Sequence, residues 1–241
     1  MELPDRFVIV KRAFIDSLPV LMGYSAMGFA AGVLLSAHSG IDFAGIWAFL
    51  TSATSISGAL QFMLVDWIAK RTPLLDVALL TFCLNIRYAM YGFSLIDRFR
   101  GIGFWKKFYL IWSLTDETYA LETECKIPEK KKNIRYCLLL AFFDHAYWIC
   151  GVTAGALAGR ALPFSNQGID FAMTALFLVI LTDQCREKSN RIPAIIGGGA
   201  AVLCLLIFGA GKMLIPSMIL MITVFLVCRK KLDPARKEKA A

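Results

Sequence analysis

Apolar residues fall into eight clusters, roughly 14–37, 43–68, 73–96, 108–121, 136–159, 169–184, 193–210 and 213–228, separated by short polar segments. An α-helix crosses a bilayer with about 20 such residues, and most of the clusters are close to that length. The pattern predicts an all-α polytopic membrane protein of seven or eight transmembrane segments, some of them short or broken. The clusters take up most of residues 1–241, so the chain reads as a single integral membrane domain. The fourth cluster, Phe108 to Leu121, ends in Asp116 and Glu117 and is short for a span. It is closer to a re-entrant or irregular helix.

The clusters also repeat. A shift of 128 residues lays Phe14 and Asp16 over Phe142 and Asp144, and Gly23 over Gly151. Gly40-Ile41-Asp42-Phe43-Ala44 then falls unchanged on Gly168-Ile169-Asp170-Phe171-Ala172, and 14 of the 44 positions in 14–57 match those in 142–185. An identical block in register points to an internal duplication, with halves of about 14–121 and 136–228 joined by the linker 122–135. Repeated halves are a recurrent plan of secondary transporters, whose substrate site lies near the bilayer midplane. If the fourth cluster spans, there are eight crossings and parallel halves. If it turns back, there are seven and the repeats are inverted, an arrangement that its short length slightly favours.

Composition agrees with a membrane protein: 58% of residues are hydrophobic and the mean hydropathy is +0.62. The net charge of +8 lies in segments between apolar runs, as at Lys130-Lys131-Lys132 and Arg229-Lys230-Lys231. This is the distribution that holds loops in the cytoplasm and not that of a nucleic-acid-binding surface. It puts the linker 122–135 and the C-terminal tail on the cytoplasmic side. Seven cysteines without a C-x-x-C pair and two histidines far apart, His38 and His145, offer neither a disulfide frame nor a metal site. No cofactor is expected.

The polar residues inside apolar runs are the candidates for function. Arg87 sits within the run Pro73 to Ile96. A cation at membrane depth costs about 3 kcal/mol or more and faces a protein interior, a cavity or a partner. It can snorkel toward Arg98 and Arg100, or pair with a carboxylate, with Asp116 and Glu117 the first choices. By helical spacing Asn85 shares a face with Tyr88, and Arg87 with Tyr91. The small polar run from Thr51 to Ala59 serves close helix packing, or else unwinds near Ser57 and Gly58 and turns backbone amides toward a carboxylate. Gln61 lies one turn on. Asp116, Glu117 and Tyr119 suit a substrate ammonium, an ion pair or a hydrated interface. Asp144 with His145 is a proton relay or the start of a span, and Asp16 repeats the Asp144 position, which favours a structural role. Asp183-Gln184 reads as interfacial. The sequence lacks the G-x-S-G and G-x-G-D signatures of intramembrane proteases, so an intramembrane enzyme is a weak reading. A non-transporting scaffold or assembly subunit is the main competing class.

Several of these residues carry a resemblance. Ser57-Gly58-Ala59-x-Gln61-Phe62, Asn85-x-Arg87-x-x-x-Tyr91-Gly92-x-Ser94-Leu95 and Thr115-Asp116-Glu117-x-Tyr119-Ala120 are similar to the AzlC family. So are Trp148-x-x-Gly151 and Asp170-Phe171-Ala172-x-x-Ala175-Leu176-Phe177, and the likeness runs from about 14 to 228. It implies the large subunit of a secondary exporter in the bacterial cell (inner) membrane, acting on branched-chain and related apolar amino acids with a small AzlD-type membrane subunit. It assigns no roles to residues.

Overall fold

The computed structural model describes residues 5–38, 43–125, 127–161, 188–209 and 213–232, with 178, 181, 182, 185 and 186. The described residues form nine helices and no strand. They are α1 (Asp5–His38), α2 (Ala44–Thr54), α3 (Gly58–Lys70), α4 (Leu74–Leu95), α5 (Phe104–Trp112), α6 (Asp116–Glu124), α7 (Lys130–Ala161), α8 (Lys188–Phe208) and α9 (Leu214–Leu232). Stretches of α1, α4, α7 and α8 are long and apolar enough to cross a membrane. The chain divides into two compact units, Met1–Asn166 and Gln167–Ala241. In the second unit α8 packs on α9, with Gly197 beside the Met221 thioether. Asp170, Phe171, Asp183 and Gln184 lie outside the described residues, as do Gly40 to Asp42.

The first unit is built on α1 and α7. Residue numbers rise together along their contact. Phe14 meets Phe143 edge to face, the Ser17 and Tyr147 hydroxyls lie 3.1 Å apart, and Tyr24 packs edge to face on Trp148. Further along, Gly32 lies against the Ala156 backbone, and Gly159 against Val33. The two helices therefore run parallel. Small residues make the approach possible, because a Cβ at Gly155 would fall on the Phe29 carbonyl.

The other elements take their depth from this pair. Leu95 and Phe99, at the end of α4, share a core with Ile9 and Ala13 of α1 and with Ile134, Tyr136 and Cys137 of α7. So α4 ends where α1 and α7 begin, here called the linker side. Its 22 residues span about 33 Å, so it begins on the far side, where α1 ends. Between them α2 and α3 leave the far side and return to it. Gly45 touches Leu157 near the end of α7, and Gly58 lies against Trp148 at mid-depth. Similarly, α5 and α6 enter from the linker side and return. Ile102 and Cys125 both pack in the linker-side core, whereas Trp112 reaches His145 and Thr118 reaches Asp144.

The short fourth cluster is thus broken into a pair of short helices, α5 and α6. The second cluster is broken in the same way, into α2 and α3, while α1 and α7 stay parallel. Both breaks have a local cause. Thr51, Ser52 and Thr54 bond back to the carbonyls of Trp47, Ala48 and Leu50, and Ser113 to that of Tyr109, which weakens helix continuation. Ser55, Ser57 and Thr115 are extended.

Two outcomes follow from this geometry. Single cysteines near Asp5 and Pro128 label from the same side of sealed vesicles. Gly155→Ala overpacks the α1–α7 contact at a cost of about 1–3 kcal/mol and lowers folded yield in detergent. Gly198→Ala, which meets nothing within 4 Å, leaves yield unchanged.

Candidate functional site

The two hairpin tips, 55–57 and 113–115, come to mid-depth on either side of Tyr24, His145 and Trp148. At the first tip Ser57 precedes α3 and is 3% exposed, yet its hydroxyl makes no cap bond and has no hydrogen-bond partner. Gln61, 1% exposed, donates from Nε2 to Thr51 Oγ1 at 2.9 Å, and its Oε1 is unpaired. The first α3 amides of Gly58, Ala59 and Leu60 have no intrahelical partners by position, while the Gln61 amide reaches Ser57 O at 3.0 Å. Gly58 keeps a neighbouring Trp148 ring at van der Waals distance. Across the break, the carbonyl end of α2 at Ser52 and Ala53 lies beside His145.

The second tip is filled from within. Thr115 caps α6 by accepting from the Thr118 amide, and Asp116 and Glu117 occupy the first turn, where the helix dipole favours negative charge. Asp116 Oδ2 lies 2.9 Å from Arg87 Nη1, and its Oδ1 accepts from the Tyr91 hydroxyl at 2.7 Å. Arg87 therefore pairs and does not snorkel to the loop. Its Nη2 also donates to the Tyr88 hydroxyl at 3.1 Å, a contact that face assignment by spacing had given to Asn85. The Asn85 Oδ1 is buried without a partner. Tyr119 stacks on Tyr91 with ring centroids 4.3 Å apart and accepts from Ser94.

A continuous set of hydroxyls joins two carboxylates. Tyr24 donates to Glu117 Oε2 at 2.8 Å and lies 2.7 Å from Thr115 Oγ1, which is 2.9 Å from Thr118 Oγ1. Thr118 donates to Asp144 Oδ2 at 2.8 Å, and the other Asp144 oxygen is unpaired. His145 is separate from this chain. Its Nδ1 is 3.4 Å from the Tyr109 hydroxyl, and its ring meets Trp112 edge to face. Asp16, which the 128-residue shift aligns with Asp144, instead accepts from Tyr136 and pairs with Arg12, so the two aspartates do not share an environment.

Sequence reasoning missed Tyr24, Thr115, Thr118 and Glu122. Glu122, one turn beyond Thr118, is 0% exposed, and both carboxylate oxygens lack hydrogen bonds. It lies outside the helices long enough to span, and burial lifts its carboxyl from the ordinary range to about 8 against the pull of Arg98. Among the described residues no group of His, Cys, Asp and Glu side chains could hold a metal ion.

Comparison with known proteins bears on this arrangement. The family model described as AzlC protein matches residues 19–162. A Bacillus subtilis protein named branched-chain amino acid transport protein AzlC is 30% identical over 93% of this chain and 87% of its own length. An uncharacterized membrane protein of Helicobacter pylori strain J99 is 33% identical over 92% of this chain and 96% of its own. The Escherichia coli inner membrane protein YgaZ is 26% identical over 78% of each chain. No solved structure matches.

The Arg87–Asp116 pair makes a specific expectation. Arg87→Ala leaves Asp116 without its cation and costs roughly 1–3 kcal/mol, less than for a fully buried pair because both side chains are about 40% exposed. Folded yield, read by size-exclusion chromatography, falls for Arg87→Ala and recovers in Arg87→Ala with Asp116→Asn. Adding Glu117→Gln to Arg87→Ala gives no recovery, since Glu117 is held by Tyr24.

Proposed function

The chain belongs to the AzlC family, and from that premise we propose that it exports branched-chain and related apolar amino acids by secondary transport, paired with a small AzlD-type membrane subunit. The observation that carries this reading is the interrupted helix pair α2–α3. A zwitterion with an apolar side chain needs donors for its carboxylate, acceptors for its ammonium and an apolar wall. The amides of Gly58, Ala59 and Leu60, which by position have no intrahelical acceptor, suit the carboxylate together with the unpaired Ser57 hydroxyl. The carbonyl end of α2 and Gln61 Oε1 suit the ammonium, a division of labour common to discontinuous helices in transporters. The Trp148 ring beside Gly58 suits the side chain.

Arg87, Asp116 and Glu117 are less suited to hold substrate, because each is already matched by a protein partner. Their role in this reading is to set the hairpin tip at mid-depth. Asp144, with one unpaired oxygen and a hydroxyl chain to Glu117, is the relay carboxylate, and His145 orients the α2 end. The partner subunit is supported by the Arg87–Asp116 pair itself. It is partly open, on a helix that also exposes Phe82, Ile86, Met90 and Phe93, and lipid is a poor cover for an ion pair. The basic character of the linker 122–135, and separately of the C-terminal tail, supports a cytoplasmic position for each in a bacterial inner membrane.

Leucine flux in proteoliposomes tests the proposal. The purified pair carries leucine down an imposed gradient, and the large subunit alone gives at most a few per cent of that rate. Ser57→Ala weakens apparent leucine affinity about five-fold, the worth of one hydrogen bond. Gly58→Val, which crowds the amides, abolishes flux at normal yield. Leucine movement by the pair no faster than in empty liposomes excludes the transport reading and favours a scaffold.

A further inference from the structure

Glu122 is a charged residue type in a place that cannot hold a charge cheaply. It is fully enclosed, neither carboxylate oxygen has a hydrogen-bond partner, and Arg98 makes no ion pair with it within 4 Å. Arg98 is engaged nearby. Its Nη1 donates to the Glu122 carbonyl, Nη2 to the Cys125 carbonyl at 2.9 Å and Nε to Asn133 Oδ1 at 3.0 Å. Asn133 in turn donates to the Ile127 carbonyl at 3.2 Å. One guanidinium thus ties the returning leg of the α5–α6 hairpin to the turn after α4 and to α7.

We infer that Glu122 is a proton-binding site that couples proton movement to the α5–α6 hairpin: it carries a proton in this structure, and its ionisation draws Arg98 off the carbonyls of Glu122 and Cys125. The inference rests on the transport reading for its purpose and on this geometry for its chemistry. The proton leaves the carboxyl for water on the linker side. The new carboxylate then competes for a cation that now serves neutral carbonyls, and a charge-assisted bond is the stronger one. Release of the two carbonyls frees the foot of the hairpin whose tip carries Thr115, Asp116 and Glu117.

The groups around Glu122 are consistent with such a site. Arg98 faces it from the turn after α4, and Asp144 and Cys137 face it from α7. Cys125 closes its own helix, the Asp16–Arg12 pair of α1 is tied to Tyr136, and Tyr109 of α5 lies by His145. Asp144 is a like charge on the tip side and Arg98 an opposite charge on the linker side. A proton reaching Asp144 along the hydroxyl chain therefore has Glu122 as its next acceptor toward the linker.

The sign of the pH effect follows from burial. The carboxyl is raised to about 8 when folded, so stability from this group is complete below the ordinary carboxyl range, declines above it and is lost beyond about pH 8. The full chain in detergent is compared with Glu122→Gln, which keeps the shape of the protonated acid. We expect amide exchange over 119–125, corrected for intrinsic pH dependence, to quicken about tenfold in the wild type between pH 6.5 and 9, and to stay flat in Glu122→Gln. In proteoliposomes with the partner subunit, Glu122→Gln retains leucine counterflow but loses acceleration by a pH gradient. Equal exchange profiles for the two proteins overturn the inference, as does undiminished pH-driven flux in Glu122→Gln. If the wild type carries no leucine in either mode, the substrate reading fails, and the exchange profiles alone decide the proton site.

Discussion

The close parallel contact of α1 and α7 is the constraint from which the first unit follows. Lipid is as apolar as leucine, so helices in a bilayer gain little from hiding apolar surface and depend on close packing and on polar bonds. Gly32, Gly155 and Gly159 bring the two backbones to a separation that no side chain could enter. That approach fixes the relative depth of Tyr24 on one helix and Asp144, His145 and Trp148 on the other. Both hairpin tips are received by these four residues. A shift of α1 along α7 would part Tyr24 from Thr115 and Glu117 while Thr118 stayed on Asp144.

The two tips solve the same problem in opposite ways. A helix that begins at mid-depth leaves several amides unpaired where water is scarce. At α6 the chain supplies its own answer: Thr115 as cap, two carboxylates in the first turn, and Arg87, Tyr91 and Tyr24 to hold them. At α3 it supplies none. Ser57 makes no cap bond, and no acidic residue lies in the first turn. The polar deficit at α3 is what an incoming carboxylate can fill, whereas α6 is complete without one. This asymmetry leaves the start of α3 as the helix end without a cap of its own, while α6 is capped from within.

Much of this was legible in the sequence where a residue was out of place. The hydroxyl run Thr51 to Ser57 and the short cluster ending at Asp116 marked both breaks, and Arg87 in an apolar run called for a carboxylate. The second cluster announced its break but not the direction in which the chain leaves it. A run of that length has one composition whether it crosses or turns back, so the far-side hairpin and the parallel course of α1 and α7 had to come from tertiary contacts. Tyr24 and Thr118 carried no signal, because a tyrosine or threonine in a membrane helix is ordinary until its neighbours are known. Glu122 stood at the edge of a basic linker, where a glutamate is expected to be hydrated. Its enclosure comes from α7 and the turn after α4 closing over it.

Positions that the 128-residue shift aligns do not share a site. Asp16 and Asp144 are aligned by it and lie on two parallel, touching helices, yet Asp16 is a partly exposed partner of Arg12 and Tyr136 while Asp144 is enclosed against α6. The two aspartates lie at similar levels on the paired helices but meet different neighbours. The difference lies in what packs on them. Thr118 and Glu122 lie one turn apart on α6, and they bring a hydroxyl and a second carboxyl to the Asp144 side of the pair only. Once that hairpin leans on α7, the two aspartates no longer share an electrostatic environment. Asp144 is the one of the two that keeps a buried carboxylate oxygen without a partner.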